Sequence, residues 1–268
     1  MVRVTCLQLA YPRDESKAER VQRVVRMVGQ VADADLVVLP ELWPTGYFAF
    51  DRYEAEAEDL EGPTVTAMRE TAVEHDLYLH GGTFVERHDD GLANCAILID
   101  PRGDVILTYR KIHLFGYESR EAELLTAGTT ADVADTDFGG VATSTCYDLR
   151  FPELYRVLVD GGARIVIIPA AWPSARIEHW RLLLRVRALE DQVFVIACNG
   201  VGDQHGTELG GHSMIVDPWG EVLTEANGED EQFLTAELDL VRQERVRAEF
   251  PVLDHRRIEI RPPGAEGR

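Results

Sequence analysis

DLVVLPELWP at 35–44 reads against RIVIIPAAWP at 164–173, with Pro40 over Pro169, Trp43 over Trp172 and Pro44 over Pro173. LIDPRGDVI at 98–106 reads in the same way against IVDPWGEVL at 215–223. Two stretches repeated in one order, with loops of different length between them, predict two α/β halves, each a sheet with helices on its outer side. Chance likeness between apolar strands that end in proline is the competing reading. One position breaks the echo: Glu41 stands in the first half where the second has Ala170. A carboxylate at only one of two equivalent strand ends is placed for a task.

Outward from these stretches, strands and helices alternate along the chain. Apolar runs predict strands at 2–10, 35–40, 77–86, 94–100, 104–112, 140–146, 164–170, 193–199, 211–217 and 232–239. Helical spacing predicts helices at about 15–32, 63–75, 151–161 and 177–191, with Pro63 and Pro152 in their first turns. No Ser- or Pro-rich linker interrupts the pattern, so one domain over 1–260 is expected, with RPPGAEGR at 261–268 a loose tail.

Composition narrows the function classes. The chain has 268 residues, and 45% hydrophobic residues argue against a disordered chain. A formal charge of −20 and a pI near 4.7 argue against nucleic acid or an anionic membrane as partner. No run approaches the ~18 apolar residues of a membrane span. The stretch MVRVTCLQLAYPRDESK lacks the apolar region and cleavage site of a signal peptide, so a soluble, cytoplasmic protein is expected. The four cysteines form no C-x-x-C, and Cys6, Cys95 and Cys198 sit in apolar strands as buried thiols do. Lysine occurs only at Lys17 and Lys111, while the other 25 of the 27 basic residues are arginine. Lys17 falls in the charged first helix, where an exposed side chain is expected. Lys111 is the one to explain.

Three positions could carry chemistry. Cys146 closes the run GVATSTC before a helical pattern, and a cysteine at such a turn sits by free amides and a helix end that favour its thiolate. Taken alone, it reads as well as an inert core thiol. Glu41 follows four apolar residues and Pro40, at the carboxyl end of a buried strand, where α/β sheets place their sites. Desolvation there raises its pKa toward that of a general base, although a loop carboxylate capping amides fits equally. Lys111, in VILTYRKIHLFG, offers a compact ammonium suited to an oxyanion, against the alternative of a solvated strand cation. Cys/His catalysis is the rival, with His113, His179, His205 or His212 as base. The eight histidines show no metal-ligand spacing.

LPELWPTGYF, YRKIHLFG and STCYDLRFPELYR, in that order and 70 and 35 residues apart at their central residues, resemble the three signatures of the nitrilase superfamily of carbon–nitrogen hydrolases. The resemblance extends over PAAWP, RALEDQVFVIACNGVG and SMIVDPWGEV, and so over nearly the whole chain. It implies a four-layer α-β-β-α sandwich of two related halves, dimerised through its helical layer. It also implies a catalytic Glu41–Lys111–Cys146 triad and a second glutamate seven residues before a closing glycine. In KIHLFGYESREAELLTAG that glycine is Gly128, which selects Glu121 over the nearby Glu118 and Glu123. Cys146-Tyr147-Asp148 is similar to the amidase and omega-amidase-like branches, and Tyr47, Tyr147 and Trp172 are expected to line the pocket. The implied activity is hydrolysis of a small aliphatic amide through a thioester, with no metal or organic cofactor. The rivals are a carbamoyl amidohydrolase on the same residues and a non-catalytic binding protein. No strong basic motif flanks Cys146 to demand a substrate carboxylate.

Overall fold

The computed structural model describes residues 1–31, 33–258 and 260; the expected loose tail lies outside them. The chain opens with β1 (Val2–Gln8), α1 (Lys17–Val28), β2 (Leu36–Val38), a short α2 (Tyr53–Glu56), α3 (Pro63–His75), β3 (Tyr78–His88), β4 (Gly91–Ile99) and β5 (Val105–Arg110). A one-turn α4 (Glu121–Leu124) leads to β6 (Val133–Thr136), β7 (Gly139–Thr143), α5 (Pro152–Asp160), β8 (Ile165–Ala170), α6 (Ile177–Asp191) and β9 (Phe194–Asn199). The hairpin β10 (Val201–Gln204) and β11 (Thr207–Gly210) follows, then β12 (Met214–Val216), β13 (Val222–Glu225), β14 (Gln232–Leu238) and α7 (Leu240–Glu249).

Local sequence sets the helix ends. Ser16 caps α1 in a box with Glu19, whose carboxylate returns to the Ser16 amide. Pro63 and Pro152 open α3 and α5, where a missing amide costs nothing. Lys17 is not exposed as expected: it is half-buried, donating to the Glu56 carbonyl at 2.5 Å and pairing with the Glu58 carboxylate.

Each of the two larger sheets has six strands, and their pairing patterns are the same. In the order β14-β1-β2-β3-β4-β5, the pairs β1·β2 and β2·β3 are parallel and the outer pairs antiparallel. In the order β6-β7-β8-β9-β12-β13, the pairs β7·β8 and β8·β9 are parallel and the outer pairs antiparallel. β2 therefore corresponds to β8, as the first sequence echo predicts. The second echo falls on matching turns. Asp100 accepts from the amides of Arg102 and Asp104, each at 2.9 Å, and Asp217 from those of Trp219 and Glu221, each at 2.9 Å. The two related halves are visible down to these hydrogen bonds.

Three cores separate four layers. Val21, Val24, Val65 and Met68 of α1 and α3 pack on Val37, Leu79 and Ile97. Leu36, Val38 and Leu98 of the first sheet face Ile165, Ile167 and Ile196 of the second. Val166, Ile168 and Val195 turn the other way, under Leu154, Leu158, Trp180 and Leu184 of α5 and α6. The central strands are buried on both faces, which is why they read as unbroken apolar runs. The structure adds elements the periodicity missed: β6, β10, β11, β13 and α7, all largely polar or at a sheet edge. No helix among the described residues is long and apolar enough to cross a membrane.

A polar bridge crosses the inter-sheet layer. His80 on β3 is fully buried; its Nδ1 accepts from the Gly82 amide at 3.3 Å, so Nε2 donates to Thr143 Oγ1 on β7 at 3.1 Å. Thr143 in turn donates to the Ile167 carbonyl at 3.1 Å. Burial holds the His80 pKa down at about 3. The unfolded imidazole titrates near 6.5, so the unfolded state binds the extra proton and stability is lost as pH falls from about 6.5 toward 3. His80→Gln is expected to flatten urea-measured stability against pH across that window by about 1.4 kcal/mol per pH unit. An unchanged acid slope would show that His80 is not held neutral.

Candidate active site

The site forms where the corresponding ends of β2 and β8 meet. The Glu41 amide donates to the Ala170 carbonyl at 3.4 Å, and the next amide of the second half, Ala171, donates back to Glu41 Oε2 at 2.8 Å. The approach depends on Gly82, at φ +62°: a Cβ there would lie 2.1 Å from the Pro40 carbonyl. Thr83 then accepts the Leu42 amide at 2.8 Å, fixing the turn that carries Glu41.

Lys111 follows β5 and is fully buried. Its Nζ donates to Glu41 Oε1 and to both oxygens of Glu121, all at 2.9 Å. Glu121 opens α4 and is itself fully buried, whereas Glu118 and Glu123 are exposed. Its Oε2 also accepts the Phe115 amide at 2.7 Å and the Tyr47 hydroxyl at 3.2 Å. Gly128 closes the segment by donating to the Lys111 carbonyl at 2.9 Å, and a Cβ there would strike the Arg110 carbonyl at 2.0 Å. Burial works against the Lys111 charge, but Glu121 and Glu41 overcome it and hold the ammonium pKa well above its usual value.

Cys146 begins a tight 3₁₀ turn, Cys146–Arg150, and has φ +47°, a left-handed conformation uncommon outside glycine and asparagine. Asp148 anchors that turn. Its Oδ2 accepts from the Thr145 amide at 2.9 Å and the Tyr109 hydroxyl at 2.6 Å, and its Oδ1 from the His113 amide at 2.9 Å. The His113 ring lies 2.7 Å from that same Oδ1 and stacks on Phe151, so His113 supports the turn. His179 pairs with Arg150, His212 with Glu225, and His205 is exposed in the β10–β11 turn. None of the four histidines weighed as a base is bonded to Cys146 among the described residues.

Cys146 lines one cleft with Ala171, whose amide holds the Glu41 carboxylate. Helix-end stabilisation of a thiolate, expected from sequence, is absent because α5 begins only at Pro152. Burial and the neighbouring Glu41 charge instead push the Cys146 thiol well above its ordinary pKa. Glu41 is also raised, by burial first, with Lys111 pulling the other way. A thiol beside a carboxylate of heightened basicity is equipped for coupled proton transfer.

A cleft opens onto Cys146, which is 8% exposed. Tyr47, Tyr147 and Trp172 line it, joined by Phe48, Phe115, Arg150 and Arg176. Arg150 lies over the Trp172 ring at 4.8 Å and Arg176 over Phe115 at 5.5 Å; neither forms an ion pair with a carboxylate among the described residues. Burial and the nearby Arg176 charge lower the Arg150 pKa. Arg176, which reaches the cleft from the turn after β8, was not among the residues singled out from sequence. Asn94 was also missed; it donates to Glu41 Oε1 at 2.8 Å and Glu121 Oε1 at 2.9 Å. Its signal was a polar residue opening an otherwise apolar strand.

The family model of carbon-nitrogen hydrolases matches residues 3–248. The chain is 40% identical over 265 residues to a 2-oxoglutaramate amidase of Paenarthrobacter nicotinovorans, covering 96% of this chain and 90% of the relative. It is 32% identical to an omega-amidase of Mus musculus, covering 91% of each. Among solved structures, Nit3 of Saccharomyces cerevisiae, a member of branch 10 of the nitrilase superfamily, superposes with a TM-score of 0.87 at 32% identity, covering 96% of this chain and 97% of its own. A CN-hydrolase superfamily protein of Xanthomonas campestris superposes with a TM-score of 0.89 at 29% identity, covering 97% of this chain and 98% of its own. With its matching fold and its buried Glu, Lys and Cys at the meeting strand ends, the chain belongs to the carbon-nitrogen hydrolases of the nitrilase superfamily.

Proposed function

We propose that the protein hydrolyses the terminal amide of a short acid monoamide through a thioester on Cys146. The observation that carries this reading is the fully buried Lys111 ammonium held between Glu41 and Glu121 beside the Cys146 thiol. Glu41 takes the thiol proton as sulfur bonds to the amide carbon, and Lys111 with the Tyr147 amide stabilises the oxyanion. As the carbon–nitrogen bond breaks, Glu41 returns that proton to the nitrogen and ammonia leaves. A water then gives a proton to Glu41 while its oxygen attacks the thioester, releasing the acid and restoring the thiol.

The two cleft arginines favour a substrate with a carboxylate at the end remote from the amide. Relatives named 2-oxoglutaramate amidase and omega-amidase support it, since 2-oxoglutaramate is such a monoamide. A carbamoyl amino acid would satisfy the same arginines and is the second reading. The exposed Leu182 and Leu189 on α6 support a homodimer through that helical layer.

Ammonia release across plain aliphatic amides, dicarboxylic monoamides and carbamoyl acids tests the substrate class. Arg150→Gln and Arg176→Gln are each expected to raise KM for a dicarboxylic monoamide by about 10- to 100-fold, the worth of one charged hydrogen bond, with little effect on a plain aliphatic amide. Equal losses on both substrates would remove the arginines from recognition. Cys146→Ala is expected to abolish turnover with thermal unfolding unchanged, and mass spectrometry should find an acyl adduct on the wild-type Cys146 alone. An adduct on Cys6, Cys95 or Cys198 would refute the nucleophile.

Lys111→Arg tests the oxyanion role. A guanidinium cannot occupy the ammonium's point between two carboxylates, and loss of such a donor costs about 10²–10³ in rate, roughly 3–4 kcal/mol of barrier. Because Lys17 is itself packed against Glu58, thermal unfolding of the same variant is the control. A folded Lys111→Arg enzyme with full kcat/KM would exclude Lys111 from the mechanism.

A further inference from the structure

Asn94 lies within the buried run of β4, after Leu92 and Ala93, and has no exposed surface. Its Nδ2 donates to Glu41 Oε1 at 2.8 Å and Glu121 Oε1 at 2.9 Å. An amide nitrogen has two hydrogens and no lone pair to offer, and the flipped amide would set its oxygen against two carboxylate oxygens. The network therefore fixes Asn94 as a double donor. Its own Oδ1 finds no partner among the described residues. Its strand neighbours Ala93, Cys95 and Ala96 are small and apolar, and packing alone would not call for an amide there.

The consequence falls on Glu41. Lys111 Nζ is a second donor to the same Oε1, at 2.9 Å. Glu41 Oε1 is thus occupied by two groups that have no capacity to accept, and a proton arriving there would displace one of them. Oε2 differs: it meets the Ala171 amide at 2.8 Å, and Ala171 lines the same cleft as Cys146. We propose that Asn94 is a positioning residue that, with Lys111, keeps Oε1 of Glu41 free of protons and confines the travelling proton to Oε2, on the sulfur's side of the carboxylate.

This assignment rests on the acyl-transfer reading above. The proton leaving sulfur bonds to Oε2 as the sulfur–carbon bond forms. It leaves the same oxygen for nitrogen as the carbon–nitrogen bond breaks, and the carboxylate has no need to rotate between the two transfers. Without Asn94 one acceptor position on Oε1 opens, a proton is held away from sulfur, and the Glu41 carboxylate loses a donor that favours its ionised form.

The test is the pH dependence of two reactions in Asn94→Leu, which keeps the bulk and removes both donors, and in Asn94→Ser, which keeps a single small donor. The first reaction is amide turnover and the second is alkylation of Cys146 by iodoacetamide, which needs no substrate. In Asn94→Leu the acid limb of both profiles is expected to move to higher pH by about one unit, with rates at neutral pH falling about 10- to 100-fold, the worth of one hydrogen bond to a charged group. Asn94→Ser should shift less. In a Glu41→Gln background, Asn94→Leu should produce no further change in alkylation. Rates that fall with the acid limb unmoved, or an undiminished Asn94 effect in the Glu41→Gln background, would overturn the proposal. Wild-type protein that turns over no amide would defeat the functional reading, while the alkylation profiles would still decide the role of Asn94. Thermal unfolding identifies a variant that fails to fold, and the other then decides.

Discussion

One ammonium group, sealed from water, organises this molecule. Lys111 has no exposed surface, and its charge is tolerated only because Glu41 and Glu121 contact it directly. Such a cluster is costly to bury, and breaking it leaves an uncompensated charge in the interior. The surrounding groups all serve it. Phe115, Tyr47 and Asn94 fill the remaining acceptor positions of Glu121, and Gly128 pins the Lys111 backbone. A chain that uses arginine for nearly every cation has placed here the one basic side chain whose charge is a point.

The repeat explains how a rigid frame can hold so asymmetric a site. Both halves supply a parallel strand ending in proline and small or acidic residues, and the two ends meet. From there their contributions diverge. The first half gives a side chain, Glu41, and the second gives backbone: the Ala170 carbonyl accepts the Glu41 amide, and the Ala171 amide holds the Glu41 carboxylate. Where one copy keeps a reactive group, the other keeps only the peptide groups that orient it. The left-handed backbone of Cys146 and the Asp148 anchor beneath it complete the arrangement from the second sheet.

Much of this was legible beforehand, for a physical reason. Strands covered on both faces read as apolar runs, and helices with proline at their first position read from their ends, so α3 falls at the residues expected and α5 within a residue of them at each end. Edge elements escaped because they lack that burden: β6 is acidic, β10 and β11 form a hairpin of glycine and polar residues, and α7 alternates charge with little apolar face. The resemblance to the nitrilase-superfamily signatures singled out Glu41, Lys111, Glu121 and Cys146 along the chain, and the fold brings them together. Asn94 and Arg176 were not legible, since their importance lies in partners from distant strands and loops. Lys17 was misjudged because a helix pattern does not reveal that Glu58, from the loop before α3, lies against it.

The pairing of the first sheet bears on how the chain is made. β14 completes the edge beside β1 in full antiparallel register, so that Thr5 meets Thr235. During synthesis from the amino end, β1 must therefore wait with one edge unpaired until β14 at Gln232–Leu238 has emerged. An open strand edge invites wrong pairings for as long as it lasts. The first half can adopt much of its shape early, but its sheet is closed only by β14, which follows the whole second sheet. A ribosome stalled after β13 would hold both halves with β1 still a ready template for aggregation, which makes the step to β14 the hazardous one.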